Sequence, residues 1–242
     1  MSFSSIGAVI VLYQPNLEQL RFLLDSISQQ VQFICLVDNS PEALPSDFLA
    51  SYPVIYKHYA GNQGIAAAQN WGVLQLQASA CEAVIKRISL ANTFSPILVD
   101  YVISSGSLIP ISVWQELSGV REELFIYWVD IEWGLRAKRK NYGHYILPTL
   151  SMSHSIGSKI GRFLWKRFSL HDDFRQYFIV RNPFLMFRYP ELPLMMRVTT
   201  CVSVLIKYVP AYLLMSEHRI KTCNTLMRAI KDGCCGRGGN RH

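Results

Sequence analysis

The stretch Ile6-Gly-Ala-Val-Ile-Val-Leu-Tyr13 is almost wholly apolar and stops at Gln14-Pro15. An apolar run of this length without alternation is typical of a strand that is buried on both faces, as the strands of parallel sheets are. A secretory signal peptide is not indicated, because no basic residue precedes the run. Two further apolar runs, Phe33–Val37 and Val54–Tyr59, are also predicted to be strands.

Helical patterns separate these strands. Asn16 is a candidate cap for a helix that runs to about Gln30 and carries an apolar residue every three or four positions. An alanine-rich helix is predicted over Ile65–Gln77. Because strands and helices alternate, the pattern predicts a doubly wound α/β sheet. Further along, Leu98–Ile103 is predicted to be a strand and Asp130–Lys140 a helix.

The composition indicates a folded chain with two oppositely charged parts. Of its 242 residues 50% are hydrophobic, which excludes an intrinsically disordered chain. Residues 1–133 contain 5 Lys or Arg and 12 Asp or Glu, whereas residues 134–242 contain 19 and 5. The basic part is expected to meet an anionic partner such as phospholipid, nucleic acid or a phosphorylated substrate. The acidic front disfavours nucleic acid, which is not expected as a partner.

Polar residues follow each of the first three predicted strands. They are Tyr13, the pair Asp38-Asn39 and the loop Gly61–Gly64. Ligands of open α/β sheets bind beyond the carboxyl ends of the strands, so these loops are expected to form one nucleotide-type crevice. Neither the G-x-G-x-x-G motif nor the P-loop motif is present, which disfavours a dinucleotide site and a P-loop.

The ordered set of motifs resembles the inverting family 2 glycosyltransferases, in particular bacterial rhamnosyltransferases. The matching stretches are Ala8-Val-Ile-Val-Leu-Tyr-Gln-Pro, Leu36-Val-Asp-Asn-Ser, Asn62-Gln-Gly-Ile-Ala-Ala-Ala-Gln-Asn-Trp-Gly, Ile103-Ser-Ser-Gly-Ser-Leu-Ile-Pro, Phe125-Ile-Tyr-Trp-Val-Asp-Ile-Glu-Trp-Gly-Leu-Arg-Ala, His154-Ser-Ile-Gly and Lys231-Asp-Gly-Cys-Cys-Gly-Arg. The resemblance implies a GT-A type fold, an open and mostly parallel sheet flanked by helices. It also implies transfer of a deoxyhexose, L-rhamnose from dTDP-L-rhamnose, to a lipid-linked polysaccharide intermediate with inversion at the sugar.

The resemblance assigns a role to each candidate residue. Asp130 is the expected general base, which takes the proton of the acceptor hydroxyl. His154 is expected to face the donor diphosphate and its metal. The donor nucleotide is expected to contact Tyr13, Asp38, Asn39, Asn62 and Gly64, and the acceptor pocket to include Ser105, Gly106 and Ser107.

Structural alternatives remain open for these residues. Asp38 would also suit an Asx-turn, and Asp130 would also suit a helix N-cap. Glu132 has its own explanation, a surface ion pair with Arg136 one helical turn away. The segment Ser104–Ser107 could be a plain turn, and a lone histidine such as His154 is often structural.

The family's Asp-x-Asp element, which holds a divalent cation on the donor diphosphate, does not occur in this sequence. Only 27 residues lie between Gly72 and Asp100, so the chain is interpreted as shortened by an internal deletion around residues 73–97. Mg²⁺ or Mn²⁺ is expected from the family, although its main ligand motif is missing. The alternative hypothesis is therefore a catalytically inactive remnant that only binds a membrane or a partner.

The sequence predicts two regions, a glycosyltransferase domain over residues 1–158 and a basic, aromatic, mainly helical region over 159–242. Basic residues of the second region, among them Arg181 and Arg197, alternate with aromatic residues, which suits an anionic lipid surface. The same pattern would equally suit RNA, and a solvated basic face without a ligand is the structural alternative. Its most apolar stretch, Leu192–Ser216, is interrupted by Arg197, Lys207 and Pro210, so a helix in the membrane interface is favoured over a spanning helix. The resemblance implies that the protein is cytoplasmic and peripheral on the inner face of the bacterial plasma membrane.

Overall fold

The computed structural model describes residues 5–79, 81–85, 96–147, 159–163, 166–170 and 173–240. The strands are β1 (Ile6–Leu12), β2 (Phe33–Asp38), β3 (Val54–His58), β4 (Ala83–Ile85), β5 (Ile97–Val99), β6 (Leu108–Pro110), β7 (His144–Ile146), β8 (Lys159–Phe163) and β9 (Lys166–Leu170). The α-helices are α1 (Leu17–Ile27), α2 (Ser46–Ala50), α3 (Gly64–Ala78), α4 (Ile111–Glu116), α5 (Val129–Arg139), α6 (Asp173–Met186), α7 (Leu194–Ser203), α8 (Val209–Met215) and α9 (Arg219–Cys234).

The main sheet has the strand order β3-β2-β1-β4-β6. The first four strands are parallel, and β6 runs antiparallel to β4. Leu12, Asp38 and His58 stand side by side in the register of β1, β2 and β3. These three strands therefore end at the same edge, and the predicted α/β fold of the GT-A type is confirmed.

Alternate residues of the central strands enter two separate cores. Val9 and Cys35 face the core that contains α3, while Ala8 and Leu36 face the core that contains α1. This period of two is what a sheet covered by helices on both faces requires. Helix α3 approaches the sheet closely at Gly72, where an added Cβ would lie 2.5 Å from Cγ1 of Val9.

Two predictions about local structure differ from the observed fold. The strand predicted over Leu98–Ile103 is shorter, Ile97–Val99, and pairs with β7 in a separate two-stranded sheet. It lies outside the main sheet, in which β4 has β1 on one side and β6 on the other. The predicted mainly helical region also contains the antiparallel strands β8 and β9.

Helix α6 packs into the body of the molecule. Phe178 stacks on Phe125 with ring centroids 4.8 Å apart, and Leu185 and Met186 belong to the same core as Trp114. The following helical segment, Leu194–Met215, is by length and composition able to cross a membrane, and only 22% of its apolar window is buried. A core helix of a soluble protein would be mostly buried.

Candidate active site

Asp38 lies at the end of β2 and is completely buried. One carboxylate oxygen accepts the backbone N–H of Ser40 at 2.9 Å, and the other accepts the hydroxyl of Tyr56 at 2.9 Å. Burial raises the pKa of Tyr56 to about 12. The N–H that Leu44 donates to this hydroxyl opposes the shift, whereas Asp38 reinforces it. The hydroxyl therefore remains a donor at neutral pH. The Asx-turn geometry is therefore present, and contact of Asp38 with a nucleobase stays a prediction.

Asn39 joins the end of β2 to the loop before α3. Its amide donates to the carbonyl of Gly64 at 3.1 Å, and its oxygen accepts the N–H of Gln63 at 3.3 Å. The side chain of Asn62 accepts the N–H of Gly64 at 2.9 Å, which closes the loop on itself. Three predicted donor-binding residues are thus brought together, and Tyr13 lies 56% exposed at the end of the adjacent strand.

Gly64 places this loop against the segment that precedes Asp130. Its φ is +87°, and an added Cβ would lie 2.7 Å from Cδ2 of Phe125. The backbone N–H of Ile65, in the first turn of α3, donates to the carbonyl of Phe125 at 2.9 Å. Only glycine accommodates both the left-handed backbone and this close approach.

Asp130 is the second residue of α5, and its side chain is half-buried. The N-cap of α5 is Trp128, with φ +64° and no side-chain cap bond, so the alternative of Asp130 as the N-cap is wrong. One carboxylate oxygen of Asp130 accepts a hydrogen bond from the hydroxyl of Ser104. The fold thus joins the predicted base to the predicted acceptor loop, 26 residues away in sequence.

The loop over residues 104–107 forms part of a cavity of about 240 Å³. Ser104 and Ser105 line it together with Gln69, residues of β1 and one side of α1. Ser107 donates to the carbonyl of Ser104 through both its hydroxyl and its N–H, while Gly106 has φ +81°. The volume is below the roughly 300–1,000 Å³ of a typical small-molecule pocket. The cavity is therefore too small for a whole nucleotide sugar.

Glu132 takes a role different from that of Asp130. Its predicted pair with Arg136 is confirmed, with Nε to Oε1 at 2.8 Å and Nη2 to Oε2 at 3.0 Å. The prediction that this pair is a surface pair is wrong, because Glu132 is 0% exposed and also accepts from Nε of Arg121 at 3.0 Å. Because its oxygens are engaged by two guanidinium groups, Glu132 stabilises the fold, and Asp130 is the carboxylate of α5 that lies beside the predicted acceptor loop.

The described residues do not supply a fitting cation site. No group of three His, Cys, Asp or Glu side chains converges within the described ranges. Asp100, a possible substitute ligand by its order in the chain, is exposed and forms an ion pair with Lys138. His154 lies outside the described residues, so its predicted contact with diphosphate or metal stays a prediction.

Sequence reasoning missed Ser104 as the partner of Asp130, and it also missed Arg181 and Asn182. The interpretation of Arg181 as a lipid-facing residue is wrong, because Arg181 is 0% exposed. Its side chain, like that of Asn182, donates to backbone carbonyls of residues 123–127. The available signal was the polar pair followed by Pro183 in the otherwise apolar second half of α6, residues 177–186.

Comparison with known proteins supports the resemblance carried by these motifs. No family model matches the chain. It is 28% identical over 295 aligned positions to the dTDP-rhamnosyl transferase RfbF of Shigella flexneri, and the alignment covers 99% of both chains. The chain resembles bacterial rhamnosyltransferases over its whole length. This full-length similarity agrees with the fold and confirms the resemblance inferred from the sequence.

Proposed function

We propose that this protein transfers L-rhamnose from dTDP-L-rhamnose to a lipid-linked polysaccharide intermediate, with inversion and with Asp130 as the general base. The proposal rests on the hydrogen bond between Asp130 and Ser104, which links the proposed base to the predicted acceptor loop. The name of the Shigella flexneri relative supports the donor. The loop formed by Asn39, Asn62 and Gly64 would hold the nucleotide.

In this mechanism the Asp130 carboxylate removes the proton of an acceptor hydroxyl while that oxygen attacks the anomeric carbon. The new carbon–oxygen bond forms on the face opposite the diphosphate, and the bond between the anomeric carbon and the diphosphate oxygen breaks. The electron pair of that bond leaves with dTDP, and the configuration inverts. Ser104 orients the carboxylate, and a positioned base accelerates such a step about 10²–10⁴-fold.

The internal deletion and the cation remain parts of the proposal. The alignment with the relative has 295 positions although this chain has 242 residues, which supports a deletion. The divalent cation is proposed from the family resemblance alone. The described residues offer no three-ligand cluster that would hold it.

The direct test is transfer of labelled rhamnose from dTDP-L-rhamnose to a bacterial lipid extract by purified protein. We expect Asp130→Asn to lower kcat about 10²–10⁴-fold. Asp47→Asn, which alters an exposed carboxylate on α2, should leave kcat unchanged. The anomeric proton spectrum of the product reports inversion. Folded wild-type protein that transfers no label at any Mg²⁺ or Mn²⁺ concentration would instead support the inactive remnant.

We also propose that the segment Leu194–Met215 lies in the surface of an anionic membrane. Six apolar side chains of its helices, each at least 40% exposed, follow helical spacing and form an apolar stripe: Leu194, Met195, Val198, Val202, Leu205 and Ile206. Apart from the buried Arg181, residues 173–240 contain 9 Lys or Arg and 4 Asp or Glu. An apolar face with basic surroundings favours an interfacial helix at anionic lipid.

Sedimentation with vesicles tests this location. We expect more binding to vesicles that contain phosphatidylglycerol than to phosphatidylcholine vesicles, and less binding for Ile206→Asp, which charges the apolar stripe. Phe22→Asp is the matched control, since Phe22 is 79% exposed on α1. Equal binding of the two variants would refute the assignment, and a salt-sensitive affinity for RNA instead of vesicles would indicate a nucleic-acid partner.

A further inference from the structure

The segment that leads into α5 has an unfavourable backbone. Phe125 has φ +62° and ψ −66°, and the N–H of Ile126 donates to the carbonyl of Leu124 at 2.7 Å, which makes a γ-turn of the rare, strained kind. Tyr127 and Trp128 also have φ of +64°. Residues with a Cβ rarely adopt these conformations, so surrounding contacts must hold them.

Asn182 of α6 supplies such contacts. It is completely buried, and its amide nitrogen lies 2.9 Å from the carbonyl oxygens of Leu124 and Ile126 and 3.0 Å from that of Tyr127. The amide thus shares its two protons among three carbonyls of the strained turn. Trp128 adds a further link, because its indole N–H donates to the carbonyl of Ile179 at 3.2 Å.

Arg181 fixes the orientation of Asn182. Its Nε donates to Oδ1 of Asn182 at 2.9 Å, so the amide nitrogen must face the turn. Its Nη2 donates to the carbonyls of Glu123 at 2.8 Å and Leu124 at 3.2 Å, and its Nη1 to that of Gly239 at 2.7 Å. The guanidinium lies over the ring of Phe178, 4.8 Å from the centroid.

Of the two other carbonyls of the turn, that of Trp128 accepts the N–H of Glu132 within α5 at 2.8 Å, and that of Phe125 points to the other side. That of Phe125 accepts the N–H groups of Ile65 at 2.9 Å and Ala66 at 3.4 Å, at the start of α3. The turn is therefore held between α6 and the end of the predicted donor loop. Its last residue, Trp128, is the N-cap of α5, and Asp130 follows two residues later.

We infer that Asn182, oriented by Arg181, is a positioning residue for Asp130. Asn182 acts through the turn 124–128, whose conformation it stabilises. In this conformation α5 begins beside both the predicted acceptor loop and the predicted donor loop. The catalytic part of this role rests on the proposed function. A base displaced by about 1 Å can lower the rate of an oriented reaction about 10²-fold.

Asn182→Asp tests this role because it keeps the size of the side chain and removes its N–H donors. We expect kcat for rhamnosyl transfer to fall about 10²-fold while the KM for dTDP-L-rhamnose changes much less. Leu226→Ala on α9 is the control, since it loosens the same helical core without removing a bond to the turn. If Asn182→Asp does not fold, Asn182→Ser and Trp128→Phe, which remove some of these donors, should each lower kcat several-fold.

Amide hydrogen exchange separates the positioning role from the proposed function. We expect faster exchange at Ile65, Ala66 and residues 124–130 in Asn182→Asp than in Leu226→Ala. Folded wild-type protein without transfer would refute the proposed function, while the exchange rates would still decide whether Asn182 holds the turn. If the wild type is active and Asn182→Asp has the same kcat, the positioning role is refuted and the proposed function is not. Amide exchange in the turn that is the same in Asn182→Asp as in the wild type would refute it as well.

Discussion

Replacing Glu132 by glutamine should separate the structural carboxylate of α5 from the proposed catalytic one, Asp130. Glu132 accepts three hydrogen bonds, two from Arg136 and one from Arg121, and it is completely buried. Burial alone would lower the pKa of Arg121, but the charge and hydrogen bond of Glu132, together with Tyr189 and Glu123, raise that pKa overall. The single negative charge of Glu132 is therefore shared between two guanidinium groups.

The size of the effect follows from what glutamine leaves behind. Its oxygen still accepts one bond, but its amide group places donors against a guanidinium that also donates. Breaking a buried ion pair costs about 3–5 kcal/mol. We expect a loss of about 3 kcal/mol, the lower end, because the side chain of Arg121 is 30% exposed and also pairs with Glu123 and Glu191.

Urea unfolding measures this loss. With an m value of about 3 kcal/mol/M, the midpoint should fall by about 1 M. Asp130→Asn is the contrasting variant, because Asp130 is half-buried and should lose about 1 kcal/mol or less while losing transfer. A Glu132→Gln protein within about 0.5 kcal/mol of the wild type would refute the argument that this buried carboxylate stabilises the fold.

Two other positions give independent predictions. Burial lowers the pKa of His144, against a smaller opposing effect of Asp100, so the unfolded chain binds the proton more readily. The free energy of unfolding should decline as pH falls from about 7 to about 5. His144→Phe should make this decline less steep, as measured by urea unfolding at several pH values. The same pH dependence in the variant and the wild type would contradict the prediction. Gly64→Ala should cost about 1–3 kcal/mol through its positive φ and its contact with Phe125, and should weaken dTDP binding measured by calorimetry. Unchanged stability and affinity would show that the loop accommodates a Cβ.

Local patterns were sufficient to predict much of the fold and which candidate site residues lie close together. The unbroken apolar run of β1 predicted a strand buried on both faces, and Asn16 was correctly placed as the cap of α1, where it accepts the N–H of Gln19. Residues at the ends of neighbouring parallel strands share an edge, which is why Asn39 and the Gly64 loop were expected together. The sequence motifs that contain Ser104 and Asp130 were both recognised, but the hydrogen bond between these two residues was not predicted.

Which side chains form ion pairs and which are buried depends on residues far away in the sequence. The periodicity of α5 showed Glu132 opposite Asp130, yet only Arg121 and the segment before it, folded over that face, made Glu132 a buried residue. Arg181 has the sequence surroundings of a basic, aromatic surface, and its burial depends on carbonyls 57 and 58 residues away.

The sequence by itself determined the alternation of strands and helices, the edge at which the polar loops meet and the resemblance to bacterial rhamnosyltransferases, because these follow from neighbouring residues and their period. Only the tertiary structure decided which carboxylate is buried, which serine meets Asp130 and which polar pair holds the strained turn. Solvent exposure and hydrogen bonds between distant segments arise when those segments pack, and no local period encodes them.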